Sequence, residues 1–163
     1  MDEKRYTLND GREIELRPIQ KIDREQLIQF YQEIPSHTQT LSPDLIDLRF
    51  RYPLYYIGLV TIHENQLVGY GEIEENPEQD RGELIIHIHP DYIGLGIGTA
   101  MMIMLLNEAN ATDLFHINLK VTADNLRALR LFRKFGFKEE STEKEVIDGK
   151  KFEILYMNKT LVE

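Results

Sequence analysis

The segment that most constrains the chain runs from Glu83 to Ala109. Glu83-Leu84-Ile85-Ile86-His87-Ile88-His89 is rich in isoleucine and reads as a strand. It enters Pro90 and then a loop punctuated by Gly94, Gly96 and Gly98. From Gly98 to Ala109 the residues are apolar nearly all round, with Met101, Met102, Ile103, Met104, Leu105 and Leu106 in one run. A helix without a polar face has to be covered on several sides, so this strand, loop and helix belong at the centre of the fold.

The remaining elements arrange themselves around that centre. Glu13 to Arg17 alternates polar and apolar residues before Pro18, the period of a half-buried strand. Asp23 is placed to cap a helix in which Leu27, Ile28, Tyr31 and Ile34 recur at helical spacing until Pro35. Ser42-Pro43-Asp44 combines a capping serine with proline at the first helical position and opens a second short helix through Leu45, Leu48 and Arg49. Tyr55 to His63 and Leu67 to Glu74 form a hairpin about Glu64-Asn65-Gln66. His116 to Thr122 is a further strand. Ala128, Leu131, Phe132 and Phe135 then line one helical face ended by Gly136. Two closing strands flank Asp148-Gly149, a strong hairpin signal. The order β-α-α-β-β-β-α-β-α-β-β predicts an α/β chain of the α+β type, a single domain over residues 1–163. About four helices cover a mixed, mostly antiparallel sheet of about seven strands.

Composition narrows the function classes. At 163 residues and 42% apolar, the chain can bury one real core. It has no cysteine, which excludes a disulfide framework, a thiolate metal site and a cysteine nucleophile and suits a cytoplasmic protein. The histidines and carboxylates show no tight ligand spacing, so no metal is expected. Met1 is followed by Asp2, Glu3, Lys4 and Arg5, the opposite of a signal peptide, and no window reaches membrane-spanning length. The net charge of −9, with basic residues scattered among acids, argues against nucleic acid and favours a cationic partner.

The glycine segment carries the chemistry. Its backbone can curl so that successive N–H groups share one concavity above the positive end of the following helix, which makes a cradle for an anion such as a pyrophosphate. A nucleotide P-loop would need Gly-Lys-Ser or Gly-Lys-Thr, and Gly98-Thr99 lacks the lysine. A dinucleotide fold would want Gly-x-Gly-x-x-Gly in the first turn of a βαβ unit. Here Gly94-Leu95-Gly96-Ile97-Gly98 stands midway along the chain after an antiparallel meander.

The stretch Ile88-His89-Pro90-Asp91-Tyr92-Ile93-Gly94-Leu95-Gly96-Ile97-Gly98-Thr99 resembles motif A of the GNAT acyltransferases. Asn125-Leu126-Arg127-Ala128-Leu129-Arg130-Leu131-Phe132-Arg133-Lys134-Phe135-Gly136-Phe137 is similar to the family's downstream helix motif, in the correct order and spacing. The resemblance implies a GNAT-like fold that binds acetyl-CoA as cosubstrate. Pantetheine would lie against the backbone at Ile88 and His89, the pyrophosphate on the amides from Ile93 through Leu95 and Ile97 to Thr99, and Asn125 and Phe132 beside the coenzyme. Two positions depart from the family pattern. Ile93 replaces its arginine or glutamine, and Phe132 replaces a tyrosine that protonates the departing thiolate.

An amine that attacks a thioester has to lose a proton, so a carboxylate or histidine on this strand is chemically useful. Glu83 lies eleven residues before Gly94, the spacing of the catalytic glutamate in the bacterial protein-lysine acetyltransferase branch, which Leu41 to Phe50 also resembles. A solvated strand-start carboxylate is the plain alternative for Glu83. His87 shares its face and is the second candidate base. Glu72 and Glu74, on the neighbouring strand, could order a water or attract a cationic amine. The expected activity is acetyl transfer to a primary amine, either a small molecule or a protein lysine; the other reading is an acyl-CoA-binding regulatory module without turnover. The closing hairpin offers an edge for a homodimer.

Overall fold

The computed structural model describes residues 1–35 and 40–161. Eight strands form one sheet: β1 (Lys4–Thr7), β2 (Glu13–Pro18), β3 (Tyr56–His63), β4 (Gln66–Asn76), β5 (Arg81–Ile88), β6 (His116–Thr122), β7 (Lys138–Ile147) and β8 (Lys150–Thr160). Their spatial order is β1-β2-β3-β4-β5-β6-β8-β7. The helices are α1 (Arg24–Glu33), α2 (Pro43–Arg51), α3 (Ile97–Asn110) and α4 (Leu126–Lys134). The fold class is as expected, with β1 as an additional strand. β1 is four mostly exposed residues, Lys-Arg-Tyr-Thr, held by antiparallel pairing to β2.

Side-chain alternation divides the interior into two layers. On one face, α3 and α4 bury Met101, Met102, Leu105, Leu129 and Phe132 against Leu16, Leu59, Ile73 and Ile117. On the other, α1 and α2 bury Leu27, Phe30, Tyr31 and Ile46 against Val60, Tyr70 and Ile85. The all-round apolar character of α3 follows from this position, since eight of its residues are buried. No helix among the described residues is long and apolar enough to cross a membrane.

Local chemistry sets the helix ends. Ser42 Oγ accepts the Leu45 amide at 3.3 Å with Pro43 at the first position, as the sequence reading expects. Asp23 acts differently. Its carboxylate is buried and takes two hydrogen bonds of 2.8 Å from the Arg17 guanidinium and one of 2.7 Å from the Gln20 amide, and it makes no capping bond to α1. An ion pair across the β2–α1 connection thus replaces the cap. The Asp148-Gly149 turn has positive φ at both residues and joins β7 to β8.

The α2 layer is fastened by a buried ion pair. Arg49 donates to both Glu72 oxygens at 2.9 and 2.7 Å and to the Leu45 carbonyl at 2.8 Å, and its guanidinium stacks 4.4 Å over the Tyr56 ring. Tyr70 donates a third bond to Glu72 at 2.6 Å. Nearby, the Tyr31 hydroxyl meets His87 Nδ1 at 2.8 Å, linking α1 to β5.

Two outcomes follow for stability. Arg49→Met leaves Glu72, which is only 2% exposed, without its charge partner, and lowers the unfolding free energy by about 3–5 kcal/mol. Adding Glu72→Met restores much of the loss, as measured by urea titration, because an apolar pair needs no desolvated charge. Burial also lowers the His87 pKa from 6.5 to about 4. Below about pH 6.5 the unfolded chain binds a proton there that the folded chain refuses until about pH 4. Stability that is full above pH 6.5 is therefore lost as pH falls towards 4, by up to about 3 kcal/mol. His87→Gln removes that part of the slope.

Candidate active site

β5 is paired with β4 along its whole length, from Arg81 opposite Asn76 to Ile88 opposite Gly69. On its other side it pairs with β6 in parallel over only three positions, Arg81, Gly82 and Glu83 with His116, Ile117 and Asn118. Past Glu83 the two strands part. The gap opens into a cleft of about 910 Å³ walled by residues 84–88 of β5, residues 120–122 of β6, the start of α3 and one face of α4. Strand backbone exposed in this way keeps N–H and C=O groups free for an extended ligand.

The wide end of the cleft is the glycine loop. His89 Nδ1 accepts the Asp91 amide at 3.1 Å and starts a single 3₁₀ turn, Pro90–Tyr92. Tyr92 anchors that turn, its hydroxyl 2.6 Å from His63 Nδ1 and its ring under the Arg12 guanidinium at 4.4 Å. Gly94 and Gly96 have φ of +81° and +98°, values that L side chains rarely adopt. Gly96 is the N-cap of α3 and the Ala100 amide is the first to bond back to it, which leaves the amides of Ile97, Gly98 and Thr99 at the positive end of a fourteen-residue helix.

Of the sequence-derived candidates, His87, Ile88, Ile93, Gly94, Gly96, Ile97, Gly98, Thr99, Asn125 and Phe132 line this cleft. Asn125 also caps α4 by accepting the Ala128 amide at 3.3 Å. Phe132 is buried edge-on to Phe137 and presents an apolar wall. Leu95 packs against the α3 layer. His89 holds its turn and faces Glu33 at 3.5 Å, away from the cleft lining.

Glu83 stands where β5 and β6 begin to part. It is exposed, opposite Glu74 on β4 and Asn118 on β6, and it borders a second cavity of about 460 Å³ shared with Tyr55, Glu75, Glu78 and Arg81. Asn118 is held by an amide hydrogen bond from Asn158 at 2.5 Å. Burial raises the Glu75 pKa above the ordinary carboxylate value. Glu72, expected to face an amine or a water, is instead engaged by Arg49 and Tyr70 inside the α2 layer, and Glu74 remains at the cavity.

The sequence reading missed the cations. Arg127, Arg130 and Lys134 lie at i, i+3 and i+7 on α4 and line the cleft, with Lys120 across from them on β6. Against these four, the lining carries only Asp124 and Glu145 as carboxylates among the described residues, although the whole chain has a net charge of −9. The Arg127 guanidinium lies over the glycine loop, so that a Cβ built on Gly94 would be 2.5 Å from its Nη1. The i, i+3, i+7 spacing was the available signal. Tyr31, the partner of His87, had none, being 56 residues away in sequence. No group of three metal-binding side chains is assembled among the described residues.

Comparison with known proteins bears on this architecture. The model of the acetyltransferase (GNAT) family matches residues 19–137, which takes in both helical layers, the glycine loop and α4. The acetyltransferase PA5475 of Pseudomonas aeruginosa is 28% identical over 119 residues, and the match spans 63% of this chain and 63% of that protein's length. Among solved structures, the GNAT-family acetyltransferase of Streptococcus pneumoniae superposes with a TM-score of 0.81 at 19% identity, covering 91% of this chain and 99% of that one. The protein yncA from Salmonella typhimurium, solved with its cofactor acetyl-CoA, superposes with a TM-score of 0.79 at 20% identity over 92% and 95% of the two chains. At such identities the structural likeness is one of fold. The family match covers the strand, glycine loop and helix that build the cleft, and by that match the chain belongs to the GNAT acetyltransferase family.

Proposed function

We propose that the protein transfers an acetyl group from acetyl-CoA to a primary amine by direct attack while both are bound. The observation that carries this reading is the parting of β5 from β6 directly below an N–H cradle rimmed with cations. Acetyl-CoA is a long substrate with a multiply charged head and a thin arm, and the cleft has a matching division. An added Cβ at Gly96 would meet nothing within 4 Å, so the loop is open at that point. Arg127 supplies countercharge there, and Arg130 and Lys134 add positive charge to the same cleft. The arm from phosphate to sulfur has about twelve bonds, the reach of roughly four extended residues or about 14 Å. Ile88 and Glu83 are five residue steps apart, about 16 Å of strand, so an arm entering from the loop beyond Ile88 and laid along β5 would bring the thioester between His87 and Glu83.

Glu83 is suited to take the proton from the attacking amine, directly or through a water. Its surroundings support a cationic acceptor, because Glu74, Glu75 and Glu78 share the cavity with a single arginine, Arg81. Both a small polyamine-like molecule and a protein lysine have that chemistry. A second reading, an acyl-CoA-binding module without turnover, is favoured by one feature, the absence of a donor at Phe132.

The experiment that separates the two readings follows free thiol release from acetyl-CoA with a panel of primary amines. Amine-dependent thiol is expected; binding without thiol release with any amine would select the module. Arg127→Glu should weaken acetyl-CoA binding at least tenfold by calorimetry, and added salt should narrow the gap as the charges are screened. Undiminished affinity would place the anion elsewhere. Glu83→Gln should lower kcat about 10²-fold while the acetyl-CoA dissociation constant stays within twofold. A full rate in that variant would remove Glu83 from the mechanism.

A further inference from the structure

His87 leaves β5 on the α1 side of the sheet, opposite Tyr70 of β4, and lines the cleft. Nδ1 lies 2.8 Å from the Tyr31 hydroxyl, and the two rings meet nearly at right angles with centroids 5.3 Å apart. Such a contact is compatible in general with either imidazole tautomer, but here the two differ in cost. Were the proton on Nδ1, it would point at the tyrosine oxygen, and the phenol's own proton would need another acceptor. Among the described residues the Tyr31 hydroxyl bonds only to His87. A buried hydroxyl proton without an acceptor costs about 1–3 kcal/mol. Tyr31 therefore donates to Nδ1, and the ring proton resides on Nε2.

Burial keeps both groups in these forms. It raises the Tyr31 pKa well above its ordinary value, and it lowers that of His87 to about 4. The charges that act on Tyr31 are those of Glu72 and Arg49, which are paired with each other. Nε2 makes no hydrogen bond to a described residue, and His87 is a partly exposed residue of the cleft lining.

We propose that His87 is a catalytic residue acting as a neutral Nε2–H donor to the thioester carbonyl oxygen, with Tyr31 as the positioning residue that fixes its tautomer. This assignment rests on the acetyl-transfer reading above. As the amine nitrogen bonds to the carbonyl carbon, the carbonyl π pair moves onto oxygen, where Nε2–H meets the growing negative charge alongside main-chain N–H groups freed by the splay. When that pair returns to re-form the carbonyl, the C–S bond breaks and its electrons leave with sulfur. The proton lost by the amine passes to Glu83 and, by way of solvent, to the thiolate. His87 keeps its proton throughout. A base role would require Nε2 to accept a proton, which this tautomer cannot do, and a group titrating near 4 has little drive to take one from an ammonium.

The test has a spectroscopic arm and a kinetic arm. In histidine-labelled protein at pH 7, with the signal assigned by its loss in His87→Gln, the ¹⁵N shifts of the parent should report a neutral ring protonated at Nε2; a ring protonated at Nδ1 or at both nitrogens overturns the proposal. Tyr31→Phe should populate the Nδ1–H form and lower kcat about tenfold, with acetyl-CoA affinity unchanged. His87→Gln, whose amide can place an N–H near Nε2, should keep kcat within about tenfold of the parent, whereas His87→Leu should lose about 10²–10³-fold. Equal losses in the two His87 variants would mark a base and overturn the donor role, as would a full rate in His87→Leu. A parent that binds acetyl-CoA but releases no thiol defeats the transfer reading first, and the donor role falls with it. An active parent with the wrong tautomer defeats only the inference about His87.

Discussion

The structure depends on how little β5 and β6 share. Parallel strands joined through a helix ordinarily pair along their length, and the connection through α3 would permit that here. Pairing stops after Glu83 and Asn118, and the uncovered backbone of both strands faces a cleft. Exposed strand backbone is an unfavourable surface unless water or a ligand satisfies it. The β6–β8 and β4–β5 ladders hold each strand firmly from its outer side, so the gap persists without either strand unravelling. The other features of the site take their places from that gap. The glycine loop lies at its wide end, Glu83 at its closed end, α4 along one wall and the α1 layer beside His87.

Rigidity on the α1 and α2 side comes from polar groups inside an otherwise apolar layer. Arg49, Glu72 and Tyr70 satisfy one another, and a buried ion pair of this kind contributes less to stability than to fixing which groups may approach. It removes Glu72 from the set of carboxylates available to a substrate. It also places a neutral cluster behind Tyr31 and His87, so the charge seen near the cleft's closed end comes from Glu74, Glu75, Glu78, Arg81 and Glu83 at the neighbouring cavity. Two glutamates two residues apart on β4 thus have different fates, one structural and one solvent-facing, according to whether an arginine on α2 reaches them.

The central strand, loop and helix were legible because each carries a local signal: isoleucines at strand density, glycines at fixed spacing, and a helix without a polar face. The caps at Ser42 and Asn125 and the Asp148-Gly149 turn were legible for the same reason. β1 was not, because Lys-Arg-Tyr-Thr has no apolar alternation and is a strand only through its pairing with β2. The opposed fates of Glu72 and Glu74 were hidden by the period-two pattern, which assigns both to one face and cannot say what covers it. The capping role expected of Asp23 gave way to Arg17, whose approach depends on the turn between β2 and α1. The link between Tyr31 and His87 joins α1 to β5, and only the packed sheet brings them together.

Phe132 sharpens the chemical argument. A coenzyme A thiol resembles a cysteine thiol, with a pKa of roughly 8.5, whereas a primary amine has one near that of lysine, roughly 10.4. Once the amine has lost a proton and bonded to the carbonyl carbon, sulfur is the better leaving group, and the collapse runs towards amide without a dedicated acid at the thiol. The demand for assistance is greater earlier, where a proton must leave the amine and charge grows on oxygen. In the proposed reaction those two events fall to Glu83 and His87 of β5, and the apolar ring of Phe132 lines the cleft. An apolar wall there excludes water that could otherwise compete with the amine for the thioester. A donor missing at Phe132 is therefore consistent with a site that concentrates its polar assistance on attack and leaves departure to the intrinsic acidity of the thiol.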